Sequence, residues 1–426
     1  MEHASPPHVV PKPVPNPAPD QTGSLLPEDA VPGGFRFSAV RAGIKPSGKP
    51  DLACVVAVGG TQASAMFTSN RVVAAPVIVG REHLRATGGS VRAVVVNSGN
   101  ANCATGAAGL LAAREICKAA AEHFGCAETE VIPSSTGIIG VPLPIEKLTK
   151  ALPAAGAALG GGSGAFSAFA RAILTTDTRP KVAHRTVLVN GRTVRLAGAC
   201  KGAGMIHPQL IPPHATMLAY LFTDAKIDGQ DLATLLQTSV ETSFNRISID
   251  GDTSTNDTVL LLASGQSGIL ITPDHQGFRA ALGELCQALA LAIVEDGEGV
   301  THIVTLEITG APSDADALKI AKAIAHSPLV KTAWAGSDPN WGRLVSTVGA
   351  SGIAIDPEKL QIQLNGLPVC ENGERAQGFD EAAVHAAMTE RRFRVAVELG
   401  LGAGYCRFWT TDLTAEYVRI NAAYSS

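Results

Sequence analysis

The sequence predicts a layered α+β protein, and three observations carry that prediction. Strand-like and helix-spaced apolar runs mix along the chain without the strict alternation of a doubly wound parallel sheet. Several of these runs stop in clusters of Gly, Asn, Ser and Thr, which sets small polar groups at sheet ends. The 426 residues are 46% apolar, 17% charged and only 4% aromatic, with 44 glycines, so a sizeable core closes around many tight turns.

The same composition excludes some function classes. A net charge of −4 leaves no large basic footprint for nucleic acid or anionic lipid, so neither is expected as a partner. Eight cysteines lie scattered without a Cys-x-x-Cys pair, and the histidines form no His-Glu-x-x-His motif. The reading is thiols in a reducing compartment, no bound metal and a cytoplasmic location. No uninterrupted apolar run reaches the roughly 18–20 residues that span a bilayer, so no membrane segment is expected. The opening stretch lacks a signal-peptide core and is dense in proline. Residues 1–25 therefore read as a disordered, polyproline-like tail, with order beginning near Val31.

From there the elements follow in order. Residues 52–58 and 64–68 read as strands joined at Gly59-Gly60. The β-branched run 91–96 is a strand expected to end at Asn97-Ser98-Gly99-Asn100-Ala101-Asn102, before an alanine-rich helix over about 107–124. Val131-Ile132-Pro133-Ser134-Ser135-Thr136-Gly137 repeats the strand-into-polar-loop pattern. Residues 145–171 are helical at both ends around Gly160-Gly161-Gly162, and 184–198 form a hairpin about Asn190-Gly191. A strand at 216–223 precedes a helix opened by Asp228, with Leu232, Leu235, Leu236 and Val240 on one face. Strands at 244–250 and 257–263, a helix at 277–294, a strand at 303–308 and a helix at 314–326 come next. The remainder, 353–426, reads as mostly strands, with a hairpin about Asn365-Gly366.

Candidate chemistry centres on Lys201–Ala225, where a Gly- and Pro-broken loop runs into Ala215-Thr216-Met217-Leu218. Thr216 Oγ could attack the Ala215 carbonyl in an N→O acyl shift, and water would then release the ester. The new α-amino group, with a reference pKa of about 7.7–8.0, could then serve as base for its own hydroxyl. The plain alternative is a threonine that opens a strand after a turn, and local pattern alone favours it. Thr136-Gly137 could supply an oxyanion hole from a hydroxyl and a backbone N–H, or be a simple turn. Lys201 beside Gly202-Ala203-Gly204 suits an anion-binding loop, although it is not a Walker A motif. Glu298, between Gly297 and Gly299, could hold an ammonium group or lie exposed at a helix end. Asp250-Gly251-Asp252 lacks calcium-loop spacing and reads as a turn. Cys200 reads as a buried small residue.

Taken together, these stretches resemble the ornithine acetyltransferase family, the bifunctional glutamate N-acetyltransferases of arginine biosynthesis. The resemblance runs through Ala42-Gly43-Ile44-Lys45, Phe67-Thr68-Ser69-Asn70, Asn97–Asn102, Ser135-Thr136-Gly137 and Thr175-Thr176-Asp177-Thr178. It continues through Lys201–Ile206, Ala215–Leu218, Phe244-Asn245-Arg246, Asp250–Asp257, Asp296–Gly299, Asp338–Arg343 and Arg419-Ile420-Asn421.

It implies an α/β/β/α sandwich, shared with aminopeptidases, that cleaves itself between Ala215 and Thr216. The products would be an α chain (26–215 after the tail) and a β chain (216–426). Thr216 would carry acetyl from N-acetylornithine to glutamate without a cofactor, and some members also accept acetyl-CoA. Thr136 and Gly137 match the oxyanion pair. Thr175, Lys201, Thr216, Glu298, Asn421 and Ser426 match substrate-binding positions, and an α2β2 assembly is implied. The chain departs from the family in one place. Its loop between Lys201 and Thr216 is longer by the length of Ile211-Pro212-Pro213-His214, just before the scissile bond. The competing reading is an N-terminal-nucleophile hydrolase or aminopeptidase of related fold, which would pass the acyl group to water.

Overall fold

The computed structural model describes residues 24–209 and 217–423. The Pro-rich residues 1–23, the segment 210–216 and residues 424–426 lie outside the described residues. In chain order the first elements are β1 (Phe35–Val40), β2 (Leu52–Ala57), β3 (Gln62–Phe67), α1 (Ala75–Thr87), β4 (Ala93–Asn100), α2 (Gly106–Phe124) and β5 (Val131–Ile138). Then come α3 (Ile145–Ala157), α4 (Gly162–Ala172), β6 (Lys181–Val189), β7 (Arg192–Lys201), β8 (Leu218–Thr223), α5 (Gly229–Glu241), β9 (Thr258–Ala263) and α6 (Gln276–Glu295). A C-terminal module follows with β10 (Ile303–Ala311), α7 (Asp314–Ala325), α8 (Pro328–Ala335), α9 (Trp341–Gly349), β11 (Gln361–Leu364) and β12 (Leu367–Glu371). It closes with β13 (Glu374–Arg375), α10 (Glu381–Met388), β14 (Arg392–Glu398), β15 (Gly404–Thr411) and α11 (Ala415–Ala423).

Two sheets stack face to face between two layers of helix, the α/β/β/α order. One sheet runs β1-β2-β4-β5 and the other β3-β9-β8-β7-β6. Strand β8 shows why they stack, since every one of its side chains is buried and period two sends alternate residues to opposite faces. Leu218, Tyr220 and Phe222 enter the core between the sheets, where they meet Phe37, Val55, Val94 and Ile132. Ala219 and Leu221 join Leu236, Leu285 and Leu289 beneath α5 and α6 on the outer side. Helices α1, α2 and α3 cover the other sheet through Val79, Ile116 and Leu148. Phe37, Phe166, Phe169 and Phe222 lock the inter-sheet core edge to face, with ring centroids as close as 5.1 Å. A third sheet, β13-β12-β11-β14-β10-β15, carries α7–α10 on its own core, from Val304 to Phe408.

Several expectations are corrected. The chain is packed earlier than Val31, because Leu25 and Leu26 are buried and the Leu25 amide donates to Ser167 Oγ at 2.8 Å. Residues 244–250 are not a strand. Phe244–Arg246 is a 3-10 turn, and the next amides bond to two different partners, Ser248 N to Trp409 O and Ile249 N to Ile206 O. The apolar alternation there reflects a buried bridge between modules. The strand after 91 does not end at Asn97 but continues to Asn100, parallel to β5, so Ser98 pairs with Thr136 and Gly99 with Gly137. The C-terminal region also holds α10 and α11, so Asn421 sits on a helix. Asp228 occupies the N-cap position of α5 but makes no side-chain capping bond. Helix α6 is long and apolar enough to cross a bilayer by composition, yet Phe278, Leu282, Leu285 and Leu289 are buried in the core of the sandwich.

Both hairpins form as read, with Asn190-Gly191 and Asn365-Gly366 at positive φ, the left-handed geometry that such turns demand. The five-stranded sheet takes strands from either side of the expected division at 215/216. Strand β7 pairs with β8 from Leu196↔Thr223 to Lys201↔Leu218, and β3 pairs with β9.

Candidate active site

The parallel strands β4 and β5 end side by side in polar residues, and this pair builds one wall of the site. Gly137 has φ 135°, and a Cβ there would lie 2.3 Å from the Gly99 carbonyl carbon and 2.5 Å from Asn100 N. Only glycine fits, so its amide can face an incoming group at close range. Asn256, just before β9, donates to Ala101 O at 2.6 Å and to Ser135 O at 2.9 Å, which ties this wall to the second sheet. Ser135 Oγ donates to Asn97 Oδ1 at 2.6 Å and steadies the β4 tip beside it.

The opposite wall rests on a buried ion cluster. Lys181 is fully buried and donates to Asp177 Oδ1 at 2.6 Å and to Asp296 Oδ2 at 2.5 Å. Asp177 also accepts from Gly202 N at 2.6 Å and Thr175 N at 3.0 Å, and Asp296 accepts from Thr178 N at 3.1 Å. One set of charges thus fixes three segments: the Thr175 loop, the Lys201 loop and the turn that bears Glu298. Burial pushes the Asp177 carboxyl up, but Lys201, Lys181 and the Gly202 amide outweigh it and hold the group well below the usual carboxylate range. For Lys181 burial works against the charge, while Asp177 and Asp296 hold it protonated and raise its pKa. Lys201 donates to Thr136 Oγ1 at 3.2 Å and stands 4.0 Å from Asp177. Burial lowers the Lys201 pKa, against the pull of Asp177.

Between these walls lies a cavity of about 350 Å³, the size of an amino-acid site. It gathers Thr136, Gly137, Thr175, Lys201, Glu298 and Asn421, six residues that the sequence singles out from five separate segments. Asn421 Nδ2 donates to Glu298 Oε2 at 3.0 Å, so α11 orients that carboxylate. Gly204 is needed here too, because a Cβ would come within 2.5 Å of Glu298 Oε2. Met217 and Leu218, the residues that follow Thr216, also line the cavity. Ala215, Thr216, the Ile211–His214 stretch and Ser426 lie outside the described residues.

Sequence reasoning missed Asp177, Lys181, Asp250 and Tyr417. Asp250 belongs to a turn as read, with Gly251 at φ 84°. It is also a cavity wall that accepts from Met205 N at 2.6 Å, Ile206 N at 2.8 Å and Tyr417 OH at 3.2 Å. Its carboxyl is raised by burial despite those amides. Burial, with Asp250 beside it, pushes the Tyr417 phenol upward. Cys200 is buried and its thiol is pushed up by burial, so it is an inert packing residue. Among the described residues, no three His, Cys, Asp or Glu side chains are grouped as metal ligands would be.

The sandwich and this cleft define an acyl-transferring enzyme whose polar groups meet at the end of stacked sheets. The chain belongs to the ArgJ family, whose model matches residues 36–426. It is 44% identical over 395 residues to the arginine biosynthesis bifunctional protein ArgJ of Geobacter sulfurreducens, covering 92% of this chain and 98% of that one. The protein of the same name from Gluconobacter oxydans is 44% identical over 406 residues, with 94% of each chain covered. Among solved structures, the arginine biosynthesis bifunctional protein argJ from Bacillus halodurans is 41% identical. That match covers 49% of this chain and 100% of the other, with a TM-score of 0.47.

Proposed function

We propose that the chain transfers acetyl from N-acetylornithine to glutamate through an acetyl ester on Thr216. Cleavage comes first. Thr216 Oγ attacks the Ala215 carbonyl, the peptide N–C bond breaks as the ester forms, and water hydrolyses the ester. The freed α-amino group then accepts the Thr216 hydroxyl proton while Oγ attacks the acetyl carbonyl of the donor. Thr136 Oγ1 and the Gly137 amide stabilise the oxyanion. The C–N bond breaks, ornithine leaves with the proton, and the amine of glutamate attacks the ester in a second pass of the same steps.

A single observation carries this reading. Six small polar or charged residues from both sides of position 216 converge on one cavity, at the entrance to the strand that Thr216 precedes. Lys201 suits a substrate carboxylate, Glu298 with Asn421 an ammonium, and Thr175 and Ser426 complete the substrate contacts. This set favours an amino-acid acceptor over water and so argues against the hydrolase alternative. The relatives' name calls them bifunctional, which supports acetyl-CoA as a second donor. The fragments 26–215 and 216–426 stay together through the β7–β8 and β3–β9 pairings, and two such pairs form the α2β2 assembly. Eight free cysteines fit a cytoplasmic enzyme. Purified protein given N-acetylornithine and glutamate is expected to release ornithine and form N-acetylglutamate. Release of free acetate in place of N-acetylglutamate would return the hydrolase reading.

A further inference from the structure

The proposed reaction leaves a second cavity unused. It holds about 270 Å³ between α6 and the sheet face formed by β10, β14 and β15. Its floor is apolar, with Trp409 and Ile303 buried and Leu291 contributed by α6. Its rim is basic. Arg392 and Arg394 lie two apart on β14 and so share a face, and Arg407 joins them from β15.

The charges at this rim do not balance. Glu307 takes both Arg394, at 3.0 Å, and Arg407, at 3.1 Å. Glu295 is shared between Arg392 and Arg179. Arg179 also stands 4.0 Å from Asp296, so the excess lies in the cavity lining itself, where three arginines face one carboxylate, Glu307. A purely structural ion network that fastens the C-terminal module to α6 explains the contacts. It does not explain an open volume over a tryptophan, nor the excess charge.

We propose that this cavity binds a small organic dianion with an apolar body. Arginine forks take carboxylates in planar, two-point fashion, and an aromatic floor accepts a flat apolar body. The two ligand charges match the net charge of that lining, and the body lies over Trp409. The position matters for the cleft. Glu295 ends α6 next to Asp296, which accepts from Lys181 and Thr178, and Arg391 Nη2 donates to Glu295 O at 3.0 Å. An anion that draws Arg392 from Glu295 therefore acts one residue away from the ion cluster behind the Thr175 loop.

Phthalate is the test ligand, titrated into the full-length protein at constant ionic strength with tryptophan fluorescence as readout. Saturable binding is expected, weakened at least tenfold by Arg394→Gln and by Arg392→Gln, whose side chain is 45% exposed and safe to change. Trp409→Phe is expected to lose the fluorescence change while calorimetry still registers binding. Glu298→Gln, which alters the other cavity, is expected to leave the titration unchanged. A response that fails to saturate, equal affinity in both arginine variants of unchanged melting temperature, or loss of binding in Glu298→Gln would each overturn the proposal.

Discussion

At Asp177 one carboxylate holds the Thr175 and Lys201 loops and the Lys181 that links them to Asp296, so the residue scale is where the site is most exposed to a single change. Asp177→Asn leaves Lys181 with one buried partner fewer. It is expected to cost about 3–5 kcal/mol by denaturant unfolding, the usual result of breaking a buried pair, and to raise KM for both substrates as Thr175 and Lys201 lose their anchor. Gly137→Ala is expected to abolish transfer without restoring space, since its Cβ would overlap Gly99 and Asn100. Thr216→Ala is expected to give a single uncut chain on a denaturing gel and no transfer, and retained transfer would exclude Thr216 as the nucleophile. The legible part of the site was Thr136, Gly137, Thr175, Lys201, Glu298 and Asn421, which sit in short polar and glycine-rich stretches of the sequence. Asp177 and Lys181 escaped notice because a buried ion cluster leaves no local pattern. Its partner Asp296 is more than a hundred residues away in the chain.

Among elements, β8 packs on both of its faces, each of them core. Phe222→Ala is expected to destabilise by about 3–5 kcal/mol, with unfolding midpoint as the check. The fold was read well wherever one period dominated, as in α2, α5, α6 and the two Asn-Gly hairpins. It was misread at 244–250, where tertiary contacts to Ile206 and Trp409 override an alternating pattern. Helix α1 was not singled out, because Pro76 at its start and scattered charges blur its apolar face. The loop that leads to position 216 contributes a pH response. His207 and His326 stack edge to face at 4.1 Å. Burial first, then neighbouring cations, lowers them from 6.5 to about 3 and about 4. The folded state therefore binds fewer protons than the unfolded chain below the unfolded pKa of about 6.5, so stability must fall as pH drops from there toward 4. Melting temperatures across that range should decline with acid, and His326→Gln should flatten the slope.

For the whole molecule, the sandwich is one body made from two stretches of chain that proposed cleavage would part. The β7–β8 ladder lies immediately beside the cut, so processed fragments are expected to co-elute on native gel filtration and to separate only on denaturation. Separation under native conditions would contradict that picture. The central claim is that Thr216 holds the acetyl group in transit. The direct measurement is intact mass spectrometry of acid-quenched enzyme incubated with N-acetylornithine alone. The account predicts one acetyl group added to the fragment that begins at Thr216, and its removal when glutamate follows. An unmodified fragment in an enzyme that still makes N-acetylglutamate, or an acetyl group on another residue, would contradict it.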